Sequence, residues 1–161
     1  MAFMLSSPDI APQATISAPF VYGGCGGGNR SPALRWSGAP AGTQSFAVTV
    51  YDPDAPTGSG WWHWLIYNLP ANLGELAAGA GAGDGQQVPK GSAQGINDYG
   101  ERGYGGPCPP PGDRPHRYLF TIFALKIAHL ELPASASGAM IGFNLNANAL
   151  ATASFTGRYG R

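Results

Sequence analysis

The chain has 161 residues, of which 43% are hydrophobic and only 11% charged, and nine basic residues balance nine acidic ones. This length suits one globular domain, so we expect a single domain over residues 1–161 whose core needs neither metal nor disulfide. Formal neutrality argues against the basic surface that a phosphate backbone requires, so no nucleic-acid partner is expected. The 25 glycines and 15 prolines predict long irregular loops between apolar segments.

The N-terminal residues MAFMLSSPDI lack the basic start and the apolar run of a secretory signal. No later stretch approaches the roughly eighteen apolar residues of a membrane span. We therefore predict a soluble, cytoplasmic protein without a transmembrane segment. In that compartment Cys25 and Cys108 are expected to be free thiols, although sequence alone does not show whether they come close enough to bridge.

Two strands are predicted in the first third of the chain. Residues 32–37, PALRWS, form a short one after a glycine-rich loop. Residues 44–52, QSFAVTVYD, are rich in β-branched and aromatic side chains, and period-two alternation places Phe46, Val48, Val50 and Asp52 on one face. Asp52 thus ends an apolar row at the edge of a loop.

The next strand is predicted over residues 61–69, WWHWLIYNL, and both of its faces are apolar. Strict alternation assigns one face to Trp61, His63, Leu65, Tyr67 and Leu69. The other face then holds Trp62, Trp64 and Ile66. A strand covered on both sides is expected at the centre of a sheet.

Residues 70–115 show little periodicity, and connections of that length are usually functional. The strongest strand follows at 116–127, HRYLFTIFALKI, with one face formed by His116, Tyr118, Phe120, Ile122 and Ala124. A polar group again begins an apolar row.

One helix is predicted after Pro133, in the stretch SASGAMIGFNLNANALA. Ser135 or Ser137 is its expected N-cap. The candidate buried positions are Met140, Phe143, Leu145 and Leu150. The last segment, ATASFTGRY, returns to strand residues. The pattern favours a mostly β, mainly antiparallel fold with one or two peripheral helices.

Polar residues therefore stand at three strand ends: Asp52, His63, and His116 with Tyr118. Taken singly, each has a structural explanation, because an Asp before Pro is often a turn residue and a His beside Trp is often a core residue. If the strand ends meet, the same residues form one polar-mouthed pocket. His129 does not lie at the end of an apolar strand face and is expected at the surface.

Such a pocket suits a small oxyanion, because imidazoles, a phenol and loop amides are hydrogen-bond donors. We expect Asp52 to accept a hydrogen bond from one imidazole, or alternatively to contact a hydroxyl or ammonium of the ligand. Asp54 is expected to brace its loop through backbone amides. An alternative is a hydrolase that uses Asp and His as acid and base on a small ester or phosphoester, but no nucleophile is evident. A zinc site is a further alternative, although the spacing matches no metal motif.

Three motifs together resemble the phosphatidylethanolamine-binding protein family, in particular its bacterial Raf-kinase-inhibitor-like branch of the YbhB/YbcL type. They are DPDAP at 52–56, WHW at 62–64 and GPCPPPGDRPHRY at 106–118. The likeness continues through SPALRWSGAPAG from residue 31, through GAMIGF at 138–143, and over nearly the whole chain.

The resemblance implies a β-sandwich with a large central Greek-key sheet and a smaller second sheet. It also implies an anion-binding pocket made by Asp52, His63, Gly106, Pro109, Pro110, His116 and Tyr118, with loop support from Asp54, Trp62 and Cys108. A phosphate or phosphoethanolamine-like ligand, no cofactor, no bound metal and a homodimer are the corresponding expectations. Kinase inhibition is not implied, because the kinase-binding surfaces of mammalian relatives have no matching motif here.

Overall fold

A computed structural model describes residues 1–161 of the protein. Its strands are β1 (Met4–Ser6), β2 (Leu34–Ser37), β3 (Ser45–Asp52), β4 (Trp61–Pro70), β5 (Glu75–Leu76), β6 (Ala93–Gln94), β7 (His116–Leu125) and β8 (Ala149–Tyr159). One α-helix, α1 (Gly138–Asn148), and two short 3-10 helices, Ala18–Phe20 and Gly23–Cys25, complete the structure. No helix has the length and apolar character needed to cross a bilayer.

The strands form two antiparallel sheets. The smaller sheet has the order β1-β2-β5, and the larger one has the order β6-β4-β3-β7-β8. β3 pairs with β4 along one edge and with β7 along the other. The predicted fold class, mostly β with two antiparallel sheets and a peripheral helix, is confirmed.

The main core lies between the two sheets. Phe46, Val48 and Val50 of β3 pack there with Phe120 and Ile122 of β7. The small sheet covers them with Leu5, Leu34, Trp36 and Leu76. The opposite face of the large sheet holds a second cluster that packs against α1 and includes Ala47, Leu65, Phe123, Ile141 and Leu145. The alternation predicted for β3 and β7 is therefore confirmed.

β4 departs from the predicted alternation at two points. Its pairing with β3 shifts register between the pairs Phe46↔Leu69 and Val48↔Ile66, and again between Val50↔Trp64 and Tyr51↔Trp62. In each interval β4 contains one residue more than β3, which is the pattern of a β-bulge. Asn68, in the first bulge, accordingly has a φ of 59°.

The two bulges change which face each β4 side chain occupies. Leu69 joins Trp64 and Ile66 in the main core, whereas Trp62 packs with Leu65 in the cluster beneath α1. The predicted grouping of Trp61, His63 and Leu69 with Leu65, and of Trp62 with Trp64, was therefore wrong, because each extra residue resets the period-two count.

Helix α1 is present and Ser137 caps it, its Oγ accepting a hydrogen bond from the Met140 amide at 3.0 Å. Its buried positions are Gly138, Ile141, Gly142 and Leu145. Of the predicted buried residues only Leu145 is correct: Met140 is 46% exposed and Phe143 75% exposed, and Leu150 lies in β8 at 43%. The helix turns its glycines inward because the Trp62 ring lies so close that a Cβ at Gly138 would collide with it.

Cys25 and Cys108 form a disulfide, with their Cα atoms 5.8 Å apart. The predicted free thiols were wrong. Their loops are 83 residues apart in sequence, yet the Tyr22 amide donates to the carbonyl of Pro107 at 3.0 Å and the Gly106 amide donates to Asn29 Oδ1 at 2.8 Å. These long-range contacts, which no local pattern encodes, bring the cysteines together.

Candidate functional site

Three strand ends of the large sheet converge on one cavity of about 350 Å³. Asp52 ends β3, His63 lies near the start of β4, and His116 and Tyr118 begin β7. Because β3 runs antiparallel to both neighbours, its last residue lies beside the first residues of β4 and β7. All four side chains line the cavity, and each is at most 3% exposed.

His63 is the extra residue of the second β4 bulge, so its side chain lies at the cavity rather than beneath α1. Its Nδ1 lies 2.7 Å from the carbonyl oxygen of Gly105, which can only accept, so Nδ1 carries the proton. Burial lowers the pKa of His63 to about 4, and the ring is neutral near pH 7. Nε2 is then a hydrogen-bond acceptor that faces the cavity, since the only side-chain hydrogen bond of His63 is made by Nδ1.

His116 is held between two carboxylates. Its Nδ1 lies 2.7 Å from Asp52 Oδ2, and its Nε2 lies 2.9 Å from Asp113 Oδ2. Burial by itself lowers the pKa of His116, but the hydrogen bonds and charges of the two aspartates outweigh it and raise that pKa overall. Both ring nitrogens are therefore occupied, so His116 has no free N–H for a ligand while Asp113 stays in place.

Asp52 accepts the imidazole hydrogen bond that the sequence predicted. Its second oxygen, Oδ1, accepts from the Asp54 amide at 2.8 Å. Burial raises the pKa of Asp52, and the bonds from His116 and Asp54 offset that rise only in part. The carboxylate therefore orients His116 and the loop that follows β3.

Tyr118 supplies the one unengaged hydroxyl among the predicted residues. The side chain is 1% exposed and its ring centroid lies 5.2 Å from that of His63, with the rings nearly perpendicular at 74°. Burial raises the pKa of Tyr118, so the phenol keeps its proton. Its hydroxyl makes no hydrogen bond within the protein and is available as a donor.

Asp54 binds Arg117 of β7 and not, as predicted, the backbone amides of its own loop. Its Oδ2 accepts from the Arg117 amide at 2.8 Å and from Arg117 Nε at 3.0 Å, and its Oδ1 accepts from Nη2 at 2.8 Å. The hydrogen bonds and charge of Arg117 lower the pKa of Asp54 to about 2. The loop is thus tied to β7 beside the cavity.

The proline-rich loop forms the opposite wall, where Cys108, Pro109 and Pro110 line the cavity. Cys108 is disulfide-bonded and so provides no thiolate for the hydrolase alternative. Three predicted residues, Asp54, Gly106 and Trp62, lie outside the lining. Gly106 has its amide bonded to Asn29 and its carbonyl bonded to the Tyr99 hydroxyl at 2.7 Å, and Trp62 packs against α1.

No lysine or arginine lines the cavity, and no cluster of His, Cys, Asp and Glu is arranged to hold a metal ion. The charges at the wall are those of Asp52 and His116, which compensate each other. Rings of Trp61, Tyr99 and Tyr118 supply an aromatic lining. This arrangement can hold a small polar group by hydrogen bonds and contact area, without a net positive field.

A sequence model described as phosphatidylethanolamine-binding protein matches residues 6–160. The chain belongs to this family. It is 53% identical to the UPF0098 protein YbcL of Escherichia coli K12 over 160 residues, which are 98% of this chain and 87% of that protein. It is 47% identical to YbhB of the same organism over 157 residues, covering 96% of this chain and 98% of that protein. The crystal structure of E. coli YbcL superimposes with a TM-score of 0.98 at 50% identity, covering 100% of this chain and 99% of that one.

In this phosphatidylethanolamine-binding protein family member, sequence reasoning missed five lining residues: Ala55, Pro56, Thr57, Trp61 and Tyr99. Trp61 had a usable signal, because it pairs directly with Asp52 in the β3–β4 hairpin. Its indole N–H is buried without a partner in the protein. No sequence signal pointed to Tyr99, because it belongs to the long loop between β4 and β7. Its ring is positioned by stacking on Tyr22, with the ring centroids 3.8 Å apart.

Proposed function

We propose that the cavity binds a small phosphate or phosphorylated headgroup of the phosphoethanolamine type, and that the protein acts as a binding module. This proposal rests on two polar atoms that make no hydrogen bond within the protein and lie in the same aromatic-walled cavity. They are His63 Nε2 and the Tyr118 hydroxyl oxygen. A volume of about 350 Å³ suits a headgroup. Family membership supports a small ligand, whereas its identity rests on the chemistry of these atoms.

The two atoms have different hydrogen-bonding roles. Tyr118 donates a hydrogen bond to a ligand oxygen, and neutral His63 accepts one from a ligand O–H or N–H. A monoprotonated phosphate satisfies both at once, since it offers bare oxygens and one acidic hydroxyl. A dianion faces the Nε2 lone pair instead and is repelled. The cavity therefore favours the monoanionic form of a phosphomonoester.

A dependence on pH follows from this preference. The second ionisation of a phosphomonoester has a pKa of about 6, so the monoanion is well populated at about pH 6 and scarce at about pH 8. Binding to this cavity is expected to be tighter at the lower pH. Affinity will be modest at both, because few ligand atoms are buried.

Calorimetric titration of phosphoethanolamine at these two pH values tests the proposal. His63→Ala and Tyr118→Phe should each reduce affinity by about tenfold, the loss of one buried hydrogen bond to an anion. His129→Ala is the matched control, because that ring is 59% exposed and bonded only to Glu131. Equal binding by all three variants and the parent, with no trend in pH, would refute the proposal.

The disulfide bears on where the protein functions. Disulfides persist in oxidising compartments and are rare in the reducing cytoplasm. The Cys25–Cys108 bond thus favours an oxidising location over the cytoplasmic one that the sequence predicted. Mass spectrometry after alkylation without reductant tests this on the protein from its native cells: both cysteines should remain unlabelled.

Homodimerisation stays a prediction. Met140, Phe143 and Leu150 are exposed and apolar, and such residues can serve an interface. Tyr104, in contrast, is only 5% exposed and is part of the core. Sedimentation equilibrium of the parent protein and of Phe143→Ser tests whether this surface joins two copies.

A further inference from the structure

A second cavity of about 380 Å³ shares His116 with the first and differs from it in character. Apart from Pro115, all of its lining residues are charged or titratable, whereas aromatic rings and prolines dominate the first. Its charged and titratable lining residues are Asp54, Asp113, Arg114, His116, Arg117 and Arg158. Three of the nine basic residues of a sparsely charged chain thus lie around one depression.

Both aspartates of this cavity already form ion pairs within the protein. Asp54 is paired in a bidentate manner with Arg117, and Asp113 is paired with His116 at 2.9 Å. Arg114 and Arg158, in contrast, take part in none of the ion pairs of the protein. The depression therefore has two guanidinium charges that no carboxylate compensates.

The strand register adds an independent observation. Arg117 of β7 lies directly opposite Arg158 of β8, so two guanidinium groups extend from neighbouring positions of the sheet. Like charges directly opposite each other on adjacent strands are destabilising. Only Nε of Arg158 has a side-chain partner, Gln13 Oε1 at 3.0 Å, and its terminal nitrogens remain available. An anion between the two side chains would relieve their repulsion.

We propose that this second cavity is a binding site for a phosphate-like dianion, held by the guanidinium groups of Arg114 and Arg158 and by the N–H groups of Arg117 that Asp54 does not occupy. The planar guanidinium fork donates paired hydrogen bonds to adjacent phosphate oxygens, and it stays charged at all physiological pH values. Because the lining contains no apolar aromatic or aliphatic side chain apart from Pro115, it offers little to hold an acyl chain, and the ligand is free phosphate or a small phosphomonoester rather than a lipid. This site adjoins the headgroup cavity at His116, but arginines hold its ligand, so it does not depend on the function proposed for that cavity.

Titration of ¹⁵N-labelled protein that carries both His63→Ala and Tyr118→Phe with inorganic phosphate, at constant ionic strength, isolates this site because that variant lacks both polar atoms through which the first cavity is proposed to bind phosphate. Saturable shifts are expected for the Nε–H signals of Arg114, Arg117 and Arg158 and for the backbone amides of residues 113, 114 and 116–118. A vesicle arm uses phosphatidylcholine containing phosphatidic acid, and no binding beyond that of phosphatidylcholine alone is expected.

Two variants should move the phosphate affinity in opposite directions. Arg114→Gln should weaken phosphate binding by about tenfold, since the substitution removes one guanidinium group. Asp113→Asn should strengthen it severalfold, since it removes a carboxylate that repels the anion. Arg30→Gln is the matched control, because Arg30 is exposed and is also in no ion pair. Arg114 has no partner in the protein, so its replacement leaves the fold intact, which circular dichroism verifies.

The proposal would be overturned if no saturable shifts appeared, or if the Arg114→Gln and Arg30→Gln variants bound phosphate with equal affinity. Binding of phosphatidic acid vesicles without binding of free phosphate would also overturn it. The parent protein separates the two cavities. Shifts at Arg114 and Arg158 without shifts at His63 and Tyr118 would support the second site while refuting the headgroup proposal.

Discussion

Nδ1 of His116 lies 2.7 Å from Oδ2 of Asp52, although 64 residues separate the two in the chain. Both side chains are buried, so water compensates neither charge. Removing one partner leaves the other charge unpaired in the interior, and that costs about 3–5 kcal/mol in comparable buried pairs. The pair that orients the candidate site is therefore also part of what stabilises the fold.

We predict that His116→Ala lowers the free energy of unfolding by about 3 kcal/mol or more. The double variant Asp52→Asn with His116→Ala should recover part of the loss, because it leaves no uncompensated buried charge. Urea denaturation of the two single variants and the double variant measures this as a coupling energy. Strict additivity of the two single effects would show that the contact contributes nothing.

His63 should make the protein sensitive to mild acid. Its pKa is about 4 in the folded state and 6.5 in the unfolded chain, so between these values the unfolded state binds more protons. Stability from the neutral ring is fully present above pH 6.5 and is lost as pH falls through 4, by about 3 kcal/mol in total. Chemical denaturation across this range should show a smaller loss for His63→Gln than for the parent. Parallel curves would contradict the prediction.

The disulfide should contribute about 2–4 kcal/mol to stability, because it closes a long loop of the unfolded chain. Replacing Cys25 and Cys108 together with serine should produce that loss, and reductant should destabilise the parent by the same amount. Reductant should leave the double variant unchanged. Since Cys108 lines the first cavity, phosphoethanolamine affinity is the second measurement on the same proteins.

The two faces of α1 offer a paired test of packing. Ile141 is 1% exposed and Phe143 is 75% exposed. Ile141→Ala should cost about 2–5 kcal/mol through lost burial and the cavity left behind. Phe143→Ala, which removes a larger side chain, should change stability by less than about 0.5 kcal/mol. Thermal unfolding of both variants distinguishes this orientation from the one that the sequence predicted.

The successful and the failed predictions differ in the range of the interactions that decide them. β3 and β7 follow their hydrophobic alternation without interruption, so their inward faces could be read from the residues alone. In β4 an extra residue at His63 and another near Asn68 reset the count. The helix turned glycines toward the sheet because the Trp62 ring occupies the space that larger side chains would need.

By itself the sequence determined the main strands, the helix with a serine N-cap at position 135 or 137, and the polar residues that end three apolar rows. Those features depend on neighbours along the chain, where side-chain periodicity and capping act. Tertiary structure alone decided which polar atoms remain available to a ligand. Both ring nitrogens of His116 are bonded to aspartates, whereas His63 Nε2 and the Tyr118 hydroxyl have no partner in the protein. It also decided that Cys25 and Cys108 form a disulfide. Hydrogen bonds and disulfides between distant segments depend on distances of a few ångströms, and only the packed sheets set those distances.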